Sequence, residues 1–225
     1  MTGAIFEHCH PYAIFIPEGT RRVVVGTLPP PRFSFGELRE KDVDFCYGSC
    51  DGLLWRILAE IFDVSFRYDN SLEAVRERQD FLRTRRLGIC DIVESCRRDK
   101  NGASDLGMQD IRLRDIVQQI RLHPSIDTLL FTGGNTKNGP EYLFRRLLRS
   151  YGLQLRCIVD RTPRVHTFAV AERVITTVSL TSPSSAANKA IGSNPLFKEG
   201  KRVNPAYSTF DFRVDQYRRV FLDRN

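Results

Sequence analysis

The residues best suited to chemistry in this chain lie in short turns. Gly26-Thr27-Leu28-Pro29, Gly133-Gly134-Asn135 and Thr181-Ser182-Pro183-Ser184-Ser185 combine small side chains with hydroxyls, so backbone N–H groups there can approach an anion closely. The last is the strongest case: proline fixes the loop while hydroxyls and amides donate. A different chemistry is offered by Phe45-Cys46-Tyr47-Gly48-Ser49-Cys50-Asp51-Gly52-Leu53-Leu54-Trp55, two aromatics, a glycine and a carboxylate ahead of a helical pattern. A planar base could stack on Phe45 or Tyr47 with Asp51 near a sugar. The same aromatics serve equally well as core, and Trp55 adjoins the apolar face of Leu54, Leu58 and Ile61.

Other chemistries lose their support. His8-Cys9-His10 and Cys46-x3-Cys50 have no second pair at the spacing of a zinc or iron–sulfur site, so no metal is expected. Gly-x-x-x-x-Gly-Lys-[Ser/Thr] and Gly-x-Gly-x-x-Gly are absent, which argues against nucleotide hydrolysis and dinucleotide redox chemistry, and no cofactor is expected. No Gly-x-Ser-x-Gly elbow occurs, and His123 and His166 suggest no nucleophile triad.

These turns need elements to hold them, and the pattern supplies an alternation of buried strands and helices, the signature of an α/β fold with a parallel sheet. Strands are expected at Arg22–Gly26, Leu87–Val93, Thr128–Thr132, Gln154–Val159 and Val174–Leu180. Helices are expected after a cap at Asp51-Gly52, over Leu72–Arg85, over Ile111–Leu122, and from Pro140 with Leu143, Phe144, Leu147 and Leu148 inward. In a parallel sheet the residues just past the strands' carboxyl ends share one rim. Gly26 to Pro31, Asp91, Gly133 to Asn135 and Ser182 to Ser185 should therefore converge, although any α/β protein has strand-to-helix turns rich in Gly, Pro and Ser.

With 225 residues, 41% of them hydrophobic, the chain can bury a substantial core, and one domain over 1–225 is expected. Its apolar runs fall short of a membrane span, and the opening residues lack a secretory pattern. Six cysteines are then expected to be reduced, in the cytoplasm. The formal charge is +7, and 28 of the 34 basic residues are arginine. Guanidinium grips phosphate with a planar fork, so this bias suits a polyanion, though a GC-rich genome produces it too. Arg83, Arg85, Arg86, Arg97 and Arg98 could attract DNA or could be solvated helix face.

Read in order, the turns resemble the uracil-DNA glycosylase superfamily, most closely its DNA-deoxyinosine (hypoxanthine) glycosylase branch. Val23-Val24-Val25-Gly26-Thr27-Leu28-Pro29 resembles a strand ending in Gly-[Ser/Thr]-x-Pro. Tyr47-Gly48 through Trp55-Arg56-Ile57-Leu58 resembles Tyr-Gly-His-Pro-x-Asn-x-Phe-Trp. Leu87 to Val93 with Ser95-Cys96-Arg97-Arg98 resembles a strand ending in Trp-Asp-Val, and Gly102 with Asp105 fits Gly-Ser-x-Asp. Phe131-Thr132-Gly133-Gly134 resembles Phe-Asn-Gly-Gly, and Leu180 to Pro183 with Asn188 resembles Leu-Pro-Ser-x-Ser-Pro-Ala-Asn. The blocks run from about Val23 to Asn188.

The resemblance implies a three-layer sandwich around a mainly parallel four-stranded sheet, DNA as partner, and removal of a deaminated base by extrusion into a pocket; a monomer is expected. It places Gly26, Thr27 and Pro29 in the pocket wall, Phe45 or Tyr47 on the base, Asp91 at the base edge, Ser182, Ser185 and Gly133 at phosphate, and Ser184 to Lys189 as a wedge. The branch's catalytic Asn falls on Gly52, leaving Asp51 as the candidate at the sugar, or as no more than a helix cap. Two rivals follow: a nucleic-acid-binding protein that has lost catalysis, and a hydrolase of free nucleosides or nucleotides.

Overall fold

The computed structural model describes residues 5–99, 102 and 104–222. Its central sheet has six strands, β2 (Arg22–Gly26), β3 (Leu87–Asp91), β6 (Thr128–Phe131), β7 (Arg156–Val159), β8 (Arg164–Val170) and β9 (Arg173–Ser179), in the order β3-β2-β6-β9-β8-β7. The first four run parallel, and β8 and β7 extend the sheet antiparallel. The expected four-stranded sheet is thus corrected to a six-stranded mixed one.

Each parallel strand is short and apolar because both its faces are covered. Val23 and Val25 of β2 and Leu129 and Phe131 of β6 pack into one core with α4 (Ile116–Leu122) and α5 (Pro140–Ser150). Val24 and Leu130 point the other way, into a second core with α2 (Leu54–Phe62), α3 (Leu72–Thr84) and α8 (Thr209–Leu222). Helices therefore flank both faces. A smaller antiparallel sheet joins β1 (Phe6–Cys9), β4 (Val93–Arg98) and β5 (Gln109–Leu113) in the order β1-β4-β5. A one-turn helix, α1 (Pro31–Ser34), follows β2, and two short helices, α6 (Asn188–Ser193) and α7 (Pro195–Val203), lead into α8. Among the described residues no helix is long and apolar enough to cross a membrane.

Several sequence expectations change in detail. The strand expected over Leu87–Val93 breaks at Ile92, where β3 ends and β4 departs into the small sheet. The helix expected over Ile111–Leu122 starts only at Ile116, capped by the Asp115 carboxylate accepting from Gln118 N at 2.8 Å, because Gln109–Leu113 pairs with β4. Pro140 does open α5. Leu53, rather than Asp51-Gly52, is the N-cap residue of α2, and no side chain caps that helix.

Candidate functional site at the carboxyl rim

The register fixes where the turns go. Gly26 lies opposite Asp91, Val25 opposite Phe131, and Phe131 opposite Ser179, so the four parallel strands end level. Their turns share one rim, as parallel geometry requires.

At the tip of β3, Asp91 is buried beside His10. The His10 Nδ1 accepts the backbone N–H of Tyr12 at 3.0 Å, which puts the ring proton on Nε2, and Nε2 donates to Asp91 Oδ2 at 2.8 Å. Asp91 Oδ1 turns toward Gly26: a Cβ there would fall 2.2 Å from that oxygen and 2.1 Å from the Tyr47 hydroxyl. Only glycine allows this approach. Tyr47 holds a φ of 57°, a conformation that costs a side-chain-bearing residue of order ~1–3 kcal/mol. Its hydroxyl shares a 2.8 Å hydrogen bond with Thr132 Oγ1 at the tip of β6. Burial and the nearby Asp91 charge push the Tyr47 phenol well up, so it remains an O–H donor.

A second carboxylate stands beside the first. The Thr27 hydroxyl, just past β2, donates to Asp105 Oδ1 at 2.8 Å. Asn138, in the loop after β6, donates to the carbonyls of Asp105 and Met108 at 2.9 and 3.1 Å and so ties the Asp105–Gly107 turn to the rim. Burial pushes the Asp105 carboxyl up to about 6; Thr27 and Arg98 oppose the rise and the Asp91 charge adds to it. A carboxyl that exchanges its proton near working pH suits acid–base chemistry.

The rest of the rim is polar and fixed. Glu141, in the first turn of α5, is buried and accepts from Ser179 Oγ at 2.7 Å, Arg164 at 2.7 Å and Arg145 at 2.9 Å. Burial alone would raise its carboxyl; Ser179, Arg145 and Arg164 reverse the sign and hold it below the usual range. Arg145 also donates to His166 Nε2 at 2.8 Å. At the tip of β9, the Pro183 carbonyl accepts from Leu53 N at 2.9 Å, which joins the Ser182 loop to the segment carrying Tyr47 and Asp51.

The expected site residues now separate. Gly26, Thr27, Tyr47 and Asp91 meet in one cluster, and Gly133 lies next to Thr132 on the same rim. Pro29 is buried two residues past Thr27, and Ser182 and the exposed Ser185 follow the β9 tip. Phe45 is corrected: its ring is buried between Phe15 and Trp55, at centroid distances of 5.6 and 6.2 Å, and cannot stack on a ligand. Asp51 is exposed and pairs with Arg39 at 2.8 Å and Arg32 at 3.6 Å; it makes no contact with the Asp91 and Asp105 cluster. Arg98, expected on the surface, is buried, with Nε donating to His8 Nδ1 at 2.9 Å. Burial, with the Arg98 charge, drops the His8 pKa to about 4.

Arg85 and Arg86 immediately precede β3 and so sit at the opposite rim, where Arg86 lines an open cleft of ≈ 890 Å³ with Arg21, Asp127 and Arg173. Two of those cations are already committed. Arg21 pairs with Asp127 at 2.5 Å, and Arg173 donates to the carbonyls of Ile120 and Ile126 at 2.6 and 2.9 Å.

Sequence reasoning gave no role to His10, Asn138 or Glu141, and noted Asp105 only within a motif. The partners of His10 and Asp105 stand 81 and 78 residues away, so no local spacing announces them. No protein-family model, curated protein or solved structure matches the chain.

Proposed function

We propose that the protein is a DNA N-glycosylase that removes a deaminated base, uracil or hypoxanthine, by extruding the nucleotide and hydrolysing its N-glycosidic bond. The observation that carries the reading is the gathering of Thr27–Asp105, His10–Asp91 and Tyr47–Thr132 at three adjacent strand tips, beside a hydroxyl-rich loop. Asp91, oriented by His10, accepts an N–H from the base edge through its second oxygen. Ionised Asp105 lies against the sugar, stabilises positive charge as the bond to the base breaks, orients the attacking water and accepts the proton that water loses as its oxygen bonds to the sugar carbon. The Tyr47 hydroxyl donates to the base as it leaves with the electron pair.

The family-like architecture belongs to the same proposal. β3-β2-β6-β9 would be its four parallel strands, and β8 and β7 an addition at one edge. So do DNA as partner, a single copy of the chain, and a cytoplasmic location; the +7 charge favours the polyanion.

The test uses fluorescent oligonucleotides carrying uracil, hypoxanthine or xanthine, with alkali to cut abasic sites and free nucleosides run in parallel. Wild type and Asp51→Asn should yield cut strands, and Asp105→Asn should lose about 10²–10⁴ in rate, the usual contribution of a positioned acid or base. Full activity in Asp105→Asn would refute the assignment of Asp105. One observation favours a second reading, a nucleic-acid-binding protein without base release: the Tyr47 hydroxyl occupies the space over Gly26, so a base seated there must displace it. Tight binding with no abasic product selects that reading, and turnover of nucleosides alone selects a nucleoside hydrolase.

A further inference from the structure

Among the described residues, three guanidinium groups are almost wholly buried: Arg78, Arg98 and Arg213. Taking a charge out of water is expensive unless something compensates it. Arg78 lies over the rings of Trp55, Phe66 and Tyr68 at 5.1 to 5.4 Å, and Arg98 lies within reach of the Asp105 charge. Arg213 has neither compensation. Its Nε donates to the Ser182 carbonyl at 2.8 Å, Nη2 to the Ser184 carbonyl at 2.6 Å and to Asn188 Oδ1 at 3.0 Å, and Nη1 to the Thr209 carbonyl at 3.0 Å. All four acceptors are neutral. Among the described residues no carboxylate pairs with it, and burial lowers its hold on the proton.

The position of this charge is informative. Two of its acceptors are the carbonyls of the loop just past β9, pulled inward from beneath, while Gln216 Oε1 accepts from Thr181 N at 2.7 Å and the Tyr217 hydroxyl donates to the Thr181 carbonyl at 2.8 Å. The carbonyls of Ser182 and Ser184 turn toward the guanidinium, and the same loop carries the half-buried Ser182 and the exposed Ser185 above this fixed positive charge.

We propose that Arg213 is a positioning residue for an anion subsite on the Ser182–Ser185 loop, and that the anion it serves is a phosphodiester of a nucleic-acid backbone. The proposal rests on the nucleic-acid reading above but not on base release. Arg213 does not touch the phosphate; it shapes the loop and supplies the field that the anion neutralises.

The experiment measures binding of a uracil-containing oligonucleotide by fluorescence anisotropy across salt concentrations, with melting temperature recorded for every variant. Arg213→Met should weaken binding about 10-fold or more and shrink the log–log salt slope by about 0.7–0.9, the equivalent of one phosphate no longer neutralised at the loop. Arg213→Lys should recover the slope in part. Arg76→Ala, on the exposed face of α3, should leave the slope unchanged. Because Arg213→Met removes a buried group and can unfold the protein, Ser185→Glu provides an independent arm. A carboxylate on the exposed side of the loop should raise the melting temperature by compensating the buried cation, and should abolish oligonucleotide binding. Inorganic phosphate should raise the wild-type melting temperature and leave that of Ser185→Glu unmoved, whereas the oligonucleotide should act at far lower concentration than free phosphate. Unchanged affinity and slope in folded Arg213→Met, or a Ser185→Glu that is no more stable and binds normally, would overturn the proposal. Binding with these responses but without abasic product leaves it standing while the glycosylase reading falls; absence of oligonucleotide binding by wild type overturns both.

Discussion

Asp105 and Asp91 are close enough for the Asp91 charge to be felt at Asp105, whose pKa burial raises to about 6. A group whose folded pKa is raised is penalised in its ionised form: the folded state loses stability as pH rises through about 6 and regains it as pH falls toward the ordinary carboxylate value. Asp105→Asn should therefore raise the melting temperature at about pH 8 and lose that advantage near pH 4, measured by thermal denaturation at both. Activity has the opposite dependence, because the ionised form does the work: the rate should climb through about pH 6 in wild type. Gly26 is the other residue whose substitution is informative. An alanine Cβ at 2.1 Å from the Tyr47 hydroxyl must displace that ring from Thr132, so Gly26→Ala should abolish base release while a circular dichroism spectrum shows the fold retained.

At the scale of elements, the rim depends on the turn holding Asp105, and that turn depends on Asn138. Asn138→Ala removes both donors to the Asp105 and Met108 carbonyls, at about 1 kcal/mol each, and should reduce activity more than it reduces the melting temperature. The strand tips were legible in the sequence because β2 and β6 are runs buried on both faces and stopped by Gly26 or by Thr132-Gly133-Gly134. β8 was not legible: Arg164, His166 and Thr167 interrupt its apolar pattern, and its two-residue turn to β9 uses Ala171 and Glu172 at φ values of 49° and 61°, without the Asn-Gly signal such turns usually carry. β5 is absorbed into the expected helix because Gln109–Leu113 runs without a Gly or Pro break into the helical spacing of Ile116, Val117 and Ile120; only its pairing with β4, set by tertiary contact, decides otherwise. Of the site, Gly26, Thr27, Tyr47 and Asp91 were legible as turn residues. For Phe45 the core reading holds over the stacking one, a choice the sequence leaves open because the two kinds of aromatic look alike, and for Asp51 a carboxylate before a helix does not show whether surface arginines claim it.

Across the whole molecule, electrostatics sets both stability and partner. Glu141 is held below the usual carboxyl range, so its stabilisation is complete above the unfolded pKa and is lost as pH falls through the lower folded value. Acid unfolding should begin below about pH 4.5, and Glu141→Gln, which leaves the part-exposed Arg145 and Arg164 without their carboxylate, should cost about 1–3 kcal/mol at neutral pH by urea denaturation. The +7 charge predicts oligonucleotide binding that weakens steeply with salt. The account as a whole stands on chemistry at the carboxyl rim, and the most direct measurement is the rate of abasic-site formation in a uracil- or hypoxanthine-containing oligonucleotide from pH 5 to 8, for wild type and Asp105→Asn. A wild-type rate that rises with a midpoint near pH 6, together with its loss in the variant, is the predicted result. No abasic product at any pH, or an unaltered rate and profile in Asp105→Asn, would contradict it.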